Sequence, residues 1–207
     1  MKADPSSDTF KTIKSKSSGS YKEKGSRFFA AAFPVSDEEE IRNRIDETRK
    51  LHHTARHNCY AYILGKDGSV WRANDDGEPS GTAGKPILGQ IRSFGLSDVL
   101  IIVSRYFGGT LLGTSGLINA YKTAAGEALK ASEIINKVIM ESYEIRYPYS
   151  AMNEVMRIIK EESVIHVNHQ FDLNCVITVS FRQSAKQRII ERLSRIEGLN
   201  YYFLDKR

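Results

Sequence analysis

Three short stretches hold the residue types and spacings that could do chemistry. The first, NDDGEPSGTAGKPILG at 74–89, carries Asp75, Asp76, Glu78, Ser80, Thr82 and Lys85 among four glycines, with little that could build a core. Carboxylates crowded into a loop can converge on Mg²⁺, and one of them can move a proton. Acidic loops also cap helices or simply face water. The second stretch, RYFGGTLLG at 105–113, sets Arg105, Tyr106 and Phe107 ahead of Gly108, Gly109 and Gly113. The third, HHTARHNC at 52–59, places His53 and His57 four apart with Cys59 beyond. On a helix those imidazoles could share a zinc ion. Asn58 and Cys59 read instead as a strand entry, which leaves His57 as a hydrogen-bonding site residue.

The two glycine-rich loops make most sense together. Each leads into a predicted helix, one starting at Pro86 and one at Ser115. Helix amino termini offer free amides and partial positive charge, so both loops can receive an anion. Ser80, Gly81, Thr82, Gly84 and Lys85 would form one wall. Arg105, Tyr106, Phe107, Gly108, Gly109 and Gly113 would form the other, with His57, Asn58 and Lys122 nearby. Arginine can grip phosphate through two hydrogen bonds, and aromatic rings beside it suit base stacking. The alternatives stay open: the glycines serve turns, and Phe107 packs into the core. Neither loop matches GxxxxGK[ST] or GxGxxG, so no nucleotide-binding motif is indicated. No nucleophile–base pair is identifiable, and no catalytic residue is assigned. Asp75, Asp76 and Glu78 are the candidate metal ligands, for Mg²⁺; otherwise no cofactor is expected.

The chain that positions these loops has 207 residues, 41% hydrophobic and 27% charged, which fits one large or two small soluble domains. No apolar run reaches bilayer length, and the first twenty residues lack the apolar core of a secretory signal. Cys59 and Cys175 form no CxxC pair and read as reduced thiols of a cytoplasmic protein with no membrane partner. The net charge is +5. Residues 1–27 hold seven Lys/Arg against three Asp/Glu, residues 28–140 thirteen of each, and residues 141–207 ten against nine. The excess is therefore mainly N-terminal, where it can touch nucleic acid or sit in a solvated tail.

Residues 1–18 are expected to form a flexible basic tail. Strand character follows from Tyr21 to Val35. Ser36 and Glu39 read as a capping box for a helix whose face is Ile41, Ile45 and Leu51. Residues 59–64 and 69–73 form a predicted hairpin, and VLIIVS at 99–104 has the continuous apolar run of a strand buried on both faces. Thr114 or Ser115 is expected to cap a helix with Leu117, Tyr121, Ala124, Ala128 and Leu129 on one face. Beyond a boundary near 138/139, residues 139–207 read as βαββαβ, the ferredoxin-like layout, with Phe171, Leu173, Cys175, Ile177, Val179 and Phe181 alternating along one strand. The fold class is α+β.

DDGEPSGTAGKPIL (75–88), SRYFGGTLLGTSGLINAYKTAA (104–125) and HNCYAY (57–62) together resemble the YigZ/IMPACT family, over residues 20–130. The C-terminal part is similar to the second domain of bacterial YigZ members, which is like domain V of elongation factor G. The resemblance implies that residues 19–138 adopt the left-handed βαβ fold of a small-subunit ribosomal protein and of elongation factor G domain IV. It implies a regulatory role in translation, which eukaryotic members exert at initiation through a protein partner of a stress kinase. For bacterial members it implies nucleic-acid or ribosome binding. The motif carries over from Asp75 through Gly84, then from Arg105 to Gly109 with Gly113, and to His57 and Asn58. Many members have arginine where this chain has Lys85, which keeps the charge and loses the two-pronged geometry.

The expected function is a translation-related protein that binds RNA, the ribosome or a translation factor through the two loops. An enzyme acting on a small anionic or phosphorylated substrate, Mg²⁺-dependent or not, and a protein–protein interaction module are the alternatives.

Overall fold

The computed structural model describes residues 8–170 and 174–206. They divide into two compact units, one of residues 10–137 and one of the other described residues, 8–9, 138–170 and 174–206.

The first unit runs β1 (Thr9–Ile13), β2 (Ser17–Glu23), β3 (Ser26–Pro34), α1 (Glu38–Leu51), β4 (His57–Leu64), β5 (Val70–Asn74), α2 (Gly84–Ser93), β6 (Val99–Tyr106), α3 (Gly113–Lys130) and β7 (Ile134–Val138). Five strands form one sheet in the order β2-β3-β6-β4-β5, while β1 pairs with β7. Every ladder within the five-stranded sheet is antiparallel. It follows that β3 and β4 run parallel to each other, as do β5 and β6, each pair joined through a helix. The loops that leave β5 and β6 therefore emerge at the same end of the sheet. His57, at the start of the oppositely directed β4, sits at that end too.

β6 is central because its sequence is apolar on both faces. Val99, Ile101 and Val103 pack into a core with Ile87, Ile91, Leu117 and Tyr121 of α2 and α3. Leu100 and Ile102 pack on the other side with Ile41 and Ile45 of α1. Along α1 the buried positions are Ile41, Ile45 and Thr48, and Leu51 is 71% exposed. The expected face through Leu51 is thus corrected: at 3.6 residues per turn, position 48 lies over position 41 and position 51 has rotated off the stripe.

Three further expectations are corrected. The tail expected over residues 1–18 contains β1 and the start of β2, and Ile13 is part of the core. The Ser/Lys-rich composition concealed two adjacent buried residues, Thr12 and Ile13; residues 1–7 lie outside the described residues. The cap of α1 is Asp37 rather than Ser36: its Oδ1 accepts from the Glu40 amide at 2.8 Å, and the Glu40 carboxylate accepts from the Ser36 amide at 3.0 Å. The cap thus sits one residue later, and the returning carboxylate meets the amide before the N-cap rather than that of the N-cap itself. α3 starts at Gly113 after Leu112, with no side-chain cap, so neither Thr114 nor Ser115 plays that part.

The second unit runs β8 (Met140–Pro148), α4 (Met152–Glu161), β9 (Ile165–Gln170), β10 (Asn174–Arg182), α5 (Lys186–Leu193) and β11 (Asn200–Lys206). Its sheet has the order β11-β8-β10-β9, all antiparallel. This is the ferredoxin-like βαββαβ arrangement. Alternate residues Cys175, Ile177, Val179 and Phe181 face a core with Val155, Ile159, Ile189 and Leu193. The expected strand positions Phe171 and Leu173 lie outside the described residues.

Gly108 shows how tightly the second glycine loop is seated. A Cβ there would lie 1.9 Å from the Gly25 carbonyl carbon, in the turn between β2 and β3. Backbone cannot yield as a flexible side chain does, so Gly108→Ala is expected to lower stability by about 1–3 kcal/mol in urea unfolding. Gly89, exposed within α2 and with nothing within 4 Å of a Cβ, is the control: Gly89→Ala is expected to be neutral or to stabilise by up to about 1 kcal/mol.

Candidate functional site

The acidic loop folds around its own first carboxylate. Asp76 and Gly77 both have positive φ, 44° and 88°, and the Glu78 amide donates to the Asp75 carbonyl at 2.9 Å. This is the tight turn that an Asp-Gly pair favours. The Asp75 side chain then reaches ahead. Its Oδ2 accepts from the Gly81 amide at 2.8 Å, and its Oδ1 accepts from the amides of Ala83 at 3.0 Å and Gly84 at 2.8 Å. The first amides of α2, which an external anion would need, are held by an internal one. Burial pushes the Asp75 carboxyl up; the three amides and nearby Lys85 outweigh it, and the net shift is downward.

Asp76 turns elsewhere. Its Oδ2 accepts from the Asn58 amide at 2.7 Å and its Oδ1 from Arg49 at 3.1 Å, pinning the loop to β4 and to the end of α1. Asn58 in turn accepts from Ser104 Oγ at 2.6 Å. Glu78 points inward. Its Oε1 accepts from Arg105 Nη1 at 2.6 Å and from the Tyr121 hydroxyl at 2.8 Å, and His57 Nε2 lies 3.9 Å away. His57 Nδ1 is 2.8 Å from the Asp76 carbonyl. A carbonyl only accepts, so Nδ1 carries the proton and the Nε2 side faces Glu78. Cys59 Sγ lies 3.0 Å from the Asp75 carbonyl and 3.3 Å from the Tyr121 oxygen. Burial pushes both the Cys59 thiol and the Tyr121 hydroxyl far above their ordinary ranges, so both remain protonated donors.

Together these contacts make a closed polar cluster at one end of the sheet. It joins His57, Asn58, Asp75, Asp76, Glu78 and Arg105 of the expected residues, and adds Cys59, Ser104 and Tyr121. Tyr121 had a readable signal: a tyrosine on an alanine-rich buried helix face has a hydroxyl that must find a partner.

Several expected roles change. Arg105 is only 6% exposed, its guanidinium packed between Phe28 and Phe107 with centroid distances of 5.5 and 5.7 Å. It is an internal cation rather than a surface grip for phosphate. Asp75, Asp76 and Glu78, the expected Mg²⁺ ligands, engage three separate sets of donors, and among the described residues no group of three His, Cys, Asp or Glu side chains is gathered for a metal ion. The same holds for His53, His57 and Cys59 with zinc. Tyr106 lies on the opposite sheet face from Arg105, because successive strand residues alternate; its hydroxyl is 2.9 Å from His52 Nδ1. Thr82 is buried, its hydroxyl donating to the Pro79 carbonyl at 2.6 Å. Ser80, Lys85, Phe107, Gly108 and Gly109 are exposed around the cluster, as are Gly113 and Lys122 of α3, while Gly81 and Gly84 are built into the loop's fold.

Residues 24–129 match the Impact N-terminal domain. The chain is 36% identical over 140 residues to IMPACT family member YvyE of Bacillus subtilis, covering 68% of this chain and 64% of that protein. It is 34% identical to IMPACT family member YigZ of Escherichia coli over 64% of this chain and 66% of that one. Protein IMPACT of Xenopus laevis is 40% identical over 76 residues, which are 35% of this chain and 23% of that protein. The crystal structure of a hypothetical protein is similar with a TM-score of 0.73 and 25% identity, covering 96% of this chain and 98% of that one.

Two outcomes test this description. Arg105→Ala leaves the Glu78 carboxylate buried without its cation and is expected to cost about 3–5 kcal/mol in urea unfolding, against about 1–3 kcal/mol for Tyr121→Phe. For Asp75, a folded pKa below the unfolded value means its stabilisation is complete above the ordinary carboxylate range and is lost as pH falls through the folded value. Asp75→Asn is therefore expected to be about 0.5–2 kcal/mol less stable than wild type near neutrality, with the gap closing below about pH 4. A gap unchanged at low pH would show that the charge contributes nothing.

Proposed function

From its membership of the family that carries the Impact N-terminal domain, to which this chain belongs, we propose that it is a translation-related binding protein. Its partner is RNA, the ribosome or a translation factor, met at the sheet end where the two glycine-rich loops emerge. The observation that carries this reading is the construction of that end. The Glu78–Arg105–Tyr121 contacts lock both loops from beneath, while Lys85 and Phe107 remain exposed above. Leu111 is 84% exposed, and the amino terminus of α3 has no side-chain cap. A rigid base under an exposed mixture of cationic, aromatic and amide groups suits recognition by a preformed surface. The catalytic alternative finds less support: Cys59 is held as a thiol, and the loop carboxylates are engaged internally. The translational part of the reading rests on what the family resemblance implies.

The test is co-sedimentation of the full chain with ribosomes at low and moderate salt. Wild type is expected to sediment, less so as salt rises. The double variant Leu111→Ser/Lys122→Ala, at exposed positions outside the buried cluster, is expected to lose most of that binding while melting like wild type. Failure of wild type to sediment at either salt, or full binding by the double variant, would overturn the ribosome-binding site placed here. Binding to a purified translation factor alone would favour the protein-module reading.

A further inference from the structure

The sheet face of the first unit that carries α1 is only partly covered. α1 packs over Phe33, Leu100 and Ile102. Toward β2 the face stays open, and Phe29 is 37% exposed there. Cross-strand register sets Lys22 opposite Arg27, and Arg27 opposite Tyr106, so all three share this face with Phe29. Three rings meet on it. Phe29 and His52 stack at 6.1 Å with 21° between planes, and Tyr106 stands edge-on to both, at 5.7 and 6.0 Å. The Tyr106–His52 contact at 2.9 Å fixes the second and third rings to each other. Burial, with the charge of Lys16, pushes the His52 pKa down and favours the flat neutral imidazole.

Basic side chains flank the rings. Arg27 lies 5.9 Å from the Tyr106 centroid, and Lys16 lies 5.2 Å from that of Phe33. Among the described residues no carboxylate forms a salt bridge with Lys16, Lys22 or Arg27. None of these six residues belongs to the Glu78–Arg105 cluster; alternation puts Arg105 on the opposite face, although Ser104 of that cluster stands across from Phe29 on this one.

We propose that this aromatic and basic platform binds single-stranded nucleic acid. Bases stack on Phe29 and its neighbouring rings, and phosphates meet Lys22, Arg27 and Lys16. Every base has a face for stacking, so the site reads strandedness more than sequence. A protein partner fits the surface less well, because three cations held in no salt bridge flank a cluster of three rings. The inference goes beyond the loop-end reading, since it concerns another face and a defined ligand class.

The full chain would be titrated with fluorescently labelled U12 and dT12, with a 12-base-pair RNA duplex and with heparin, a polyanion without bases. Wild type is expected to bind both single strands more tightly than the duplex. Phe29→Leu keeps apolar bulk and removes the ring; it is expected to weaken single-strand binding roughly five- to a hundredfold and to leave heparin binding unchanged. Phe29→Trp is expected to retain binding, which separates stacking from misfolding. Arg27→Gln and Lys22→Gln are each expected to weaken binding of all four polyanions and to reduce the salt slope by about one. Absence of single-strand binding, equal binding by Phe29→Leu, or loss of heparin binding in parallel would each overturn the platform. Ribosome sedimentation of Phe29→Leu keeps the two readings apart: lost U12 binding with retained sedimentation makes the platform a site separate from the loop end, and retained U12 binding overturns the platform whatever the ribosome does.

Discussion

The first unit depends on a buried ion pair. Glu78 and Arg105 lie 2.6 Å apart with little exposure on either side. Removing two charges from water is costly, and mutual attraction offsets that cost only when further hydrogen bonds complete the geometry. Tyr121 supplies one such bond from α3. The pair therefore joins three pieces of chain that share no local reason to meet: the loop after β5, the end of β6 and the middle of α3. A buried pair of this kind contributes specificity of arrangement more than net stability. Misplacing either loop would leave a charge alone in the core.

That constraint decides which residues remain for recognition. The carboxylate best placed to attract a ligand cation and the arginine best suited to phosphate neutralise each other. The α2 amides that would receive an anion are held by Asp75. What is left at the loop end is Lys85, Phe107, Leu111 and the uncapped start of α3. On the other face, alternation along β6 delivers Tyr106 to His52 and Phe29 rather than to Arg105. One dipeptide, Arg105-Tyr106, thus serves an internal cluster and an open aromatic surface.

Conformational economy in the loops follows from the same close packing. Gly108 lies against the Gly25 turn at a distance that excludes any side chain. The Asp76-Gly77 turn returns the chain so that Glu78 points inward. The glycines thus act chiefly by allowing backbone to meet backbone beneath the surface.

Much of the architecture was readable from periodicity, because burial imposes it directly on residue choice. VLIIV announced a strand covered on both sides, the alternation ending at Phe181 announced a half-buried one, and the order of elements after residue 139 specified βαββαβ. Short or compositionally masked elements escaped: Thr9–Ile13 is too brief, in a Ser/Lys-rich stretch, to stand out. The cap of α1 was readable to within one residue, at Asp37, because several adjacent polar side chains can each fill the role; that of α3 was not, because its first turn has no side-chain cap. The sequence alone also marked the two loops as special, through glycines and charges unsuited to any core. It did not determine which charges face water. Asp75, Glu78 and Arg105 have the same composition whether they bind a ligand or one another, and only the tertiary structure, by bringing residues 78, 105 and 121 within hydrogen-bonding distance, turned the cation expected at the surface into the one that holds the interior together.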